Sequence, residues 1–188
     1  MVTGSSIWLK VPPYDNYGQW SAGNAHASAD VFAGRYSIVT DLDVRSAAGW
    51  AGIAINFFAT EFNPNQRFSA LVDYDYAWGD YSAYGTAHND GGTNIWIWGF
   101  AENNWVFKNP QALDPSWSDG TSWFEVHDAF ALGQDGRENL DVSFPALPNN
   151  WYQAWVWSSG SCDADFDIGC NASQYQAMSV PFVVFGSL

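Results

Sequence analysis

The stretch RYSIVTDLDVR, Arg35 to Arg45, sets Ile38, Thr40, Leu42 and Val44 on one side of an extended chain and Val39, Asp41, Asp43 and Arg45 on the other. Successive side chains of a strand point to opposite faces, so a period of two marks a half-buried β-strand. The same period recurs along the chain. RFSALVDYDYAW (67–78) opposes Ala70, Val72, Tyr74 and Tyr76 to Leu71, Asp73 and Asp75, and TNIWIWGF (93–100) opposes Ile95 and Ile97 to Trp96, Trp98 and Phe100. GWAGIAINFFAT (49–60), ENLDVSF (138–144), NWYQAWVW (150–157), AMSVPFVVF (177–185) and SIWLKV (6–11) add further strands. Turns are predicted at 46–49, at Asn63-Pro64, at the Asp-Gly pairs 90–91, 119–120 and 135–136, and at 148–150. Eight or more strands at this spacing predict an all-β protein, an antiparallel β-sandwich of jelly-roll type.

One segment departs from the pattern. Ser122 to Glu125 matches a capping box and Gly133 stands where a helix would stop, which predicts a short helix near 122–132. Against it, Phe124, Val126 and Phe130 also share one strand face. There is no internal repeat, low-complexity tract or linker, and 188 residues suit one sandwich domain over 1–188.

Composition narrows the partners. Six Lys and Arg against 20 Asp and Glu give a formal charge of −14. Phosphate neutralisation by Lys and Arg supplies most nucleic-acid affinity, so no nucleic-acid partner is expected, nor an anionic membrane. Acidity does favour hard cations such as calcium. Aromatic residues make up 18% of the chain and include 12 Trp. Indole N–H groups want partners when buried, so some of these rings are expected at the surface. Only four Glu and two Lys are present, although both favour helices, which again argues for strands.

YSIVTDLDVRSAAGWAGIAINFF (36–58), followed by RFSALVDYDY (67–76), resembles the central strands of concanavalin A-like or laminin-G-like jelly rolls. The shared pattern is a strand, D-V-R, a glycine-rich turn, A-G-I and a further strand. The resemblance implies a fold. Many such domains bind glycans, some hold calcium, and others are glycoside hydrolases or polysaccharide lyases. The hydrolases usually present two Glu from facing strands, whereas Glu61, Glu102, Glu125 and Glu138 are scattered here.

The candidate binding residues follow from the alternation. Gln153, Trp155 and Trp157 share one face of their strand, opposite Ala154 and Val156, and Trp96 and Trp98 lie opposite Ile95 and Ile97. If the small and aliphatic residues face inward, the tryptophans form a solvent-facing aromatic strip. Flat indoles stack on the apolar faces of sugar rings, and nearby carboxylates such as Asp73 and Asp75 would bind hydroxyls. The alternatives are that the four tryptophans fill the core and that the aspartates form a solvated outer face. Trp20, Trp50, Trp78, Trp105 and Trp117 fall in or near predicted loops.

Asp163, Asp165 and Asp167 place carboxylates at every second residue, as calcium loops do, although the glycine and bidentate acid of an EF-hand are missing. They lie between the only cysteines, Cys162 and Cys170. Two close cysteines in a loop read as a disulfide of an oxidising compartment, with two thiols as the alternative. The start, Met1-Val2-Thr3-Gly4, has no basic, apolar leader, so either the protein is not secreted or its leader is not in this chain; the cysteines favour the second, an extracellular or secreted protein. For catalysis the weak candidates are Glu125 and His127, which would share a face if their segment were a strand.

The leading reading is a non-catalytic, lectin-like sandwich that binds a glycan or polysaccharide. The alternatives are a structural or self-assembling subunit with aromatic interfaces, a homo-oligomer among them, and a hydrolase or lyase on the same scaffold. An aromatic groove supports the first and a flat apolar patch the second. Two facing carboxylates at ~5–9 Å in a cleft support hydrolysis.

Overall fold

The computed structural model describes residues 7–42, 45–108, 117–120 and 127–187. Ten strands occur among them: β1 (Trp8–Lys10), β2 (Asn16–Ala22), β3 (Ala25–Asp30), β4 (Arg35–Leu42) and β5 (Arg45–Ala59). They continue as β6 (Asn63–Gly99), β7 (Asn104–Lys108), β8 (Trp117–Gly120), β9 (His127–Ala146) and β10 (Asn150–Ser187). All pairings are antiparallel.

Two very long strands organise the sandwich. β6 and β10 pair from Tyr152↔Gly99 to Ser187↔Gln66, and the ladder shifts by one residue between Asp165 and Ile168. Before that bulge β10 has β5 on its other side; beyond it, β4 and then β1. A bulge bends and twists the strand that carries it, and here it lets one ribbon serve two layers. The first layer holds β2, β5, the start of β10, the end of β6, β7 and β8. The second holds β3, β4, β1, the end of β10, the start of β6 and β9.

The layers meet over a ring cluster. Phe57 of β5 stacks on its strand neighbour Tyr152, with centroids 5.2 Å apart, and touches Phe185 of the opposite layer at 4.6 Å. Phe68 and Phe144 close the group against Phe185 and Tyr152. Ile53, Ile55, Ile95, Ile97, Ala154 and Val156 face inward from the first layer and are fully buried. Full burial of such a side chain contributes about 1.5–3 kcal/mol. Toward the bulge the core turns polar. Thr93 and Ser158 hydroxyls lie 2.5 Å apart, and Ser158 also hydrogen-bonds Tyr36 of the second layer. Gln174 and Gln176 reach across to donate to the carbonyls of Ser161 and Ser159.

Several expectations are corrected. The segment expected to be helical is strand where described: His127 to Ala131 pair with Ser82 to Trp78 of β6, and no helix occurs among the described residues. Residues 121–126 lie outside the described residues. Local propensity yields because Phe130 and its neighbours find a ready strand edge. The Asp-Gly pairs at 90–91 and 135–136 run inside β6 and β9, and 46–49 lies inside β5; Asp119 and Gly120 end β8, and 121–126 lie outside the described residues. A two-residue turn forms only when its flanking runs pair with each other, and here each run keeps pairing with another strand. Turns do form at 148–149, where Asn149 adopts φ 57°, and between β3 and β4, where Gly34 at φ 64° has Val180 O where a Cβ would stand.

The acidic stretch between the cysteines is likewise not a loop. Residues 161–170 belong to β10, with Cys162 opposite Asn89 and Cys170 opposite Ser82. Strand residues advance about 3.3 Å each, whereas a bridge needs Cα atoms within about 7 Å. Cys162 is a buried thiol, its Sγ 2.5 Å from Thr40 Oγ1, and not half of a bridge. The side chain of Cys170 lies outside the described residues.

Candidate functional site

The outer face of the first layer carries the tryptophans. On β10 the residues between the buried Tyr152, Ala154, Val156 and Ser158 are Gln153, Trp155 and Trp157, all half-buried. β6 contributes Trp96 and Trp98 between the buried Ile95 and Ile97. The register sets Trp155 beside Trp96 and Gln153 beside Trp98, so the two strips merge. Trp96 packs edge to face on Trp157, diagonally across the ladder, with centroids 4.3 Å apart. The aliphatic faces turn inward and the indoles outward, as the alternation in the sequence implies.

Two further tryptophans complete the wall. The chain turns at Phe100–Asn103, with Asn103 at φ 51° and Phe100 N bonded to Trp151 O. β7 therefore folds back beside β6 and sets Trp105 4.9 Å from both Trp96 and Trp98. On β5, Trp50 meets Trp155 edge to face at 6.4 Å. Both were expected in or near loops, and both are strand residues. The signal for Trp50 was present, because Trp50, Gly52, Ala54 and Asn56 alternate with Ala51, Ile53, Ile55 and Phe57.

Small residues beneath the rings make room for them. Gly18, Gly52 and Trp157 form one row across three strands. A Cβ on Gly52 would lie 2.4 Å from Trp157 Cβ, and one on Gly18 would lie 2.6 Å from the tip of Trp50. Ala54, which shares the outward face of β5, is fully buried under the aromatic cover. These rings bound a cavity of about 580 Å³ that Gln153 and Phe100 also line.

The polar groups form a chain. Trp155 Nε1 donates to Gln153 Oε1 at 2.7 Å, and Gln153 Nε2 donates to Asn56 Oδ1 at 3.0 Å. Asn56 N donates to Asp15 Oδ2 at 2.7 Å, and Asp15 also pairs with Lys10. Gln153 thus fixes the edge of Trp155 instead of pointing freely into the cavity. Trp157 Nε1 is buried with no acceptor among the described residues. A second cavity of about 410 Å³ adjoins the first and shares Trp50 and Trp157 with it.

Other candidates lie elsewhere. Asp73 and Asp75 are on the first half of β6, on the outer side of the second layer, away from the tryptophans. Asp73 takes a fork from Arg137, with Nε–Oδ1 at 2.5 Å and Nη2–Oδ2 at 3.1 Å, and Asp75 is exposed. Asp163 is exposed on β10, and the side chains of Asp165, Asp167 and His127 lie outside the described residues, as does Glu125. Among the described residues no group of three His, Cys, Asp or Glu is placed to hold a metal ion. Glu102 accepts from Asn150 Nδ2 at 2.8 Å and from Tyr152 OH at 3.5 Å. No carboxylate occurs among the described residues that line either cavity.

No protein-family model and no curated protein matches this chain. Among solved structures it is similar to that of TmCBM61 in complex with beta-1,4-galactotriose, at 10% identity over 94% of this chain and 92% of that one, with a TM-score of 0.32. It is also similar to the structure of infectious bursal disease virus Gx strain (12% identity, 92% of this chain, 36% of that one, TM-score 0.25). A third is the enzymatically active domain of bacteriophage CBA120 tailspike protein 4 (13% identity, 94% and 19%, TM-score 0.22). At scores this low, the fold and the groove stand on the chain's own geometry.

Proposed function

We propose that this protein binds carbohydrate, without chemistry, through the tryptophan groove of its first layer. The observation that carries the reading is the concave wall of Trp50, Trp96, Trp98, Trp105, Trp155 and Trp157 on an outer sheet face. Six indoles lining a cavity, with Gln153 fixing the edge of one, suit the flat apolar faces and hydroxyl rims of sugar rings. A groove also fits a ligand better than a flat self-assembly interface would. The lack of carboxylates among its described lining residues favours binding over hydrolysis, which needs a pair.

The test is titration with neutral oligosaccharides, followed by tryptophan fluorescence and calorimetry. Trp96→Ala and Trp155→Ala should each weaken binding at least about tenfold, because a few aromatic anchors dominate such sites. Both indoles are half-buried, so each substitution should cost less than the ~3–5 kcal/mol of a fully buried ring. Unchanged affinity in both variants would exclude the groove.

A further inference from the structure

The tryptophan cavity does not end at Trp157. Along β10 the outward residues continue as Ser159 and Ser161, and this part of the face forms the second cavity. Its floor is small: Ser159 sits between Trp50 and Gly92, and Ser161 next to Ala48. Its walls are large, since Trp50 and Trp157 stand between the two cavities and Trp20, 52% exposed, stands at the side. Asn94, Ser159 and Ser161 bring amide and hydroxyl groups to a surface otherwise made of rings and glycines.

The trough is held open from beneath. Gln176 Nε2 donates to Ser159 O at 3.0 Å and Gln174 Nε2 donates to Ser161 O at 2.7 Å, both from the opposite layer. A Cβ on Gly160 would lie 2.6 Å from Gln176 Nε2 and 2.7 Å from Gln174 Oε1, so a larger residue between the two serines would displace these amides. These buried bonds fix the backbone of the floor. From Gln153 to Ser161 the face runs eight residues of strand, about 26 Å at ~3.3 Å each.

The lining is also without charge. The chain carries 26 formally charged Asp, Glu, Lys and Arg side chains (6 plus 20), yet none occurs among the described residues that line either cavity. A polyanion would find no cation there, and the overall charge of −14 would repel it.

Resting on the carbohydrate-binding reading above, we infer that the two cavities form one groove for several consecutive units of an uncharged polysaccharide lying along the strands. Trp96, Trp98 and Trp155 stack one part of the chain. Ser159, Ser161 and Asn94 receive the next part, between Trp20 and Trp157.

The experiment is calorimetry with β-1,4-linked gluco-, manno-, xylo- and galacto-oligosaccharides, dimers through hexamers, with polygalacturonate as the anionic arm. Wild type is compared with Ser159→Phe, which fills the trough beside Trp50. In at least one neutral series the hexamer should bind wild type more than about tenfold tighter than the dimer. Ser159→Phe should reduce the hexamer to the affinity of the dimer. If Ser159→Phe fails to fold, the wild-type length series alone decides. Equal binding of dimer and hexamer would overturn the extended groove while leaving carbohydrate binding intact. Polygalacturonate binding as tightly as the best neutral hexamer would overturn the uncharged specificity. Binding of no oligosaccharide would overturn the carbohydrate reading itself, and this inference with it.

Discussion

On the outer face of the first layer, the positions between core residues are Trp96, Trp98, Trp155 and Trp157; on that of the second they are Ser69, Asp73, Arg137 and Asp141. β6 runs through both faces with the same alternation, paired with β10 on the aromatic one and with β9 at the charged pairs. On the charged face, cross-strand neighbours satisfy one another. Asp73 pairs directly opposite Arg137, and Asp141 accepts from Arg67 Nε at 2.7 Å and from Ser69 Oγ at 2.8 Å. On the aromatic face, the neighbours are glycines, an alanine and other rings, which leave a hollow. The backbone is common to both, so the difference in function lies in what stands beside each outward residue. A face whose charges are paired is a solvent face; a face whose rings stand over small residues presents apolar surface to a ligand.

Matched glycine substitutions break this comparison most strongly. Gly52→Ala would set a Cβ against backbone and Cβ atoms of Trp157 at 2.4–2.8 Å, none of which moves without shifting β10. Overpacking of this kind costs about 1–3 kcal/mol. Gly136→Ala, in the second layer, would instead face inward, where the hydroxyl end of the Tyr74 ring lies at 2.4–2.5 Å. Thermal melts should therefore show a loss for both variants. Only Gly52→Ala should also weaken oligosaccharide binding. Equal binding by the two variants would mean that the glycines of the aromatic face do not make room for its rings.

The two faces were unequally legible in the sequence. The period of two in 93–100 and 150–157 put Trp96, Trp98, Trp155 and Trp157 on one side and Ile95, Ile97, Ala154 and Val156 on the other, but left open which side faced inward. Trp50 and Trp105 were expected in or near loops, Trp50 because it follows the turn expected at 46–49. In the fold, Gly52 is a strand residue without a Cβ because an indole lies over its row. Nothing local distinguishes a glycine that turns the chain from one that admits a neighbour. The same limit hid the pairing of Asp73. Its charge indicated an outer face, but which outer face depended on the bulge at 165–168, which sends the two halves of β10 to different layers. The cysteines were read as loop residues for the same reason: strand β10 carries straight through that corner.

A middle-sized effect sharpens the contrast. Gln153→Ala removes the acceptor of Trp155 Nε1 and the donor to Asn56. One side-chain hydrogen bond contributes about 0.5–1.5 kcal/mol, so affinity should fall up to about tenfold as Trp155 loses its fixed edge. Ser69→Ala is the counterpart on the charged face, where it removes one bond to Asp141. It should leave oligosaccharide binding unchanged. Calorimetry on both variants decides the point: a loss with Ser69→Ala, or none with Gln153→Ala, would break the assignment of binding to the first layer.

The smallest effect concerns acid, and it separates the faces without altering the groove. The Asp141 carboxyl is held below the usual carboxylate range, chiefly by its hydrogen bond from Arg67 and further by Ser69, with partial burial opposing both. A carboxyl with a lower value in the folded state than in the unfolded one binds its proton less readily when folded. Its stabilising contribution is therefore present above the unfolded value, near pH 4, and is lost as pH falls through the folded value. The pair is exposed, so solvent and salt screen it and the contribution is small. Melting midpoints of wild type should fall slightly faster below about pH 4 than those of Asp141→Asn, and added salt should shrink the difference. The groove should not follow. Its described lining residues carry no titratable group, so oligosaccharide affinity should stay level from about pH 5 to about pH 9 and across salt, in wild type and variant alike. An affinity that titrates within that range would place an ionisable group at the ligand. The outer face of the first layer would then be less different from its charged counterpart than its tryptophans imply.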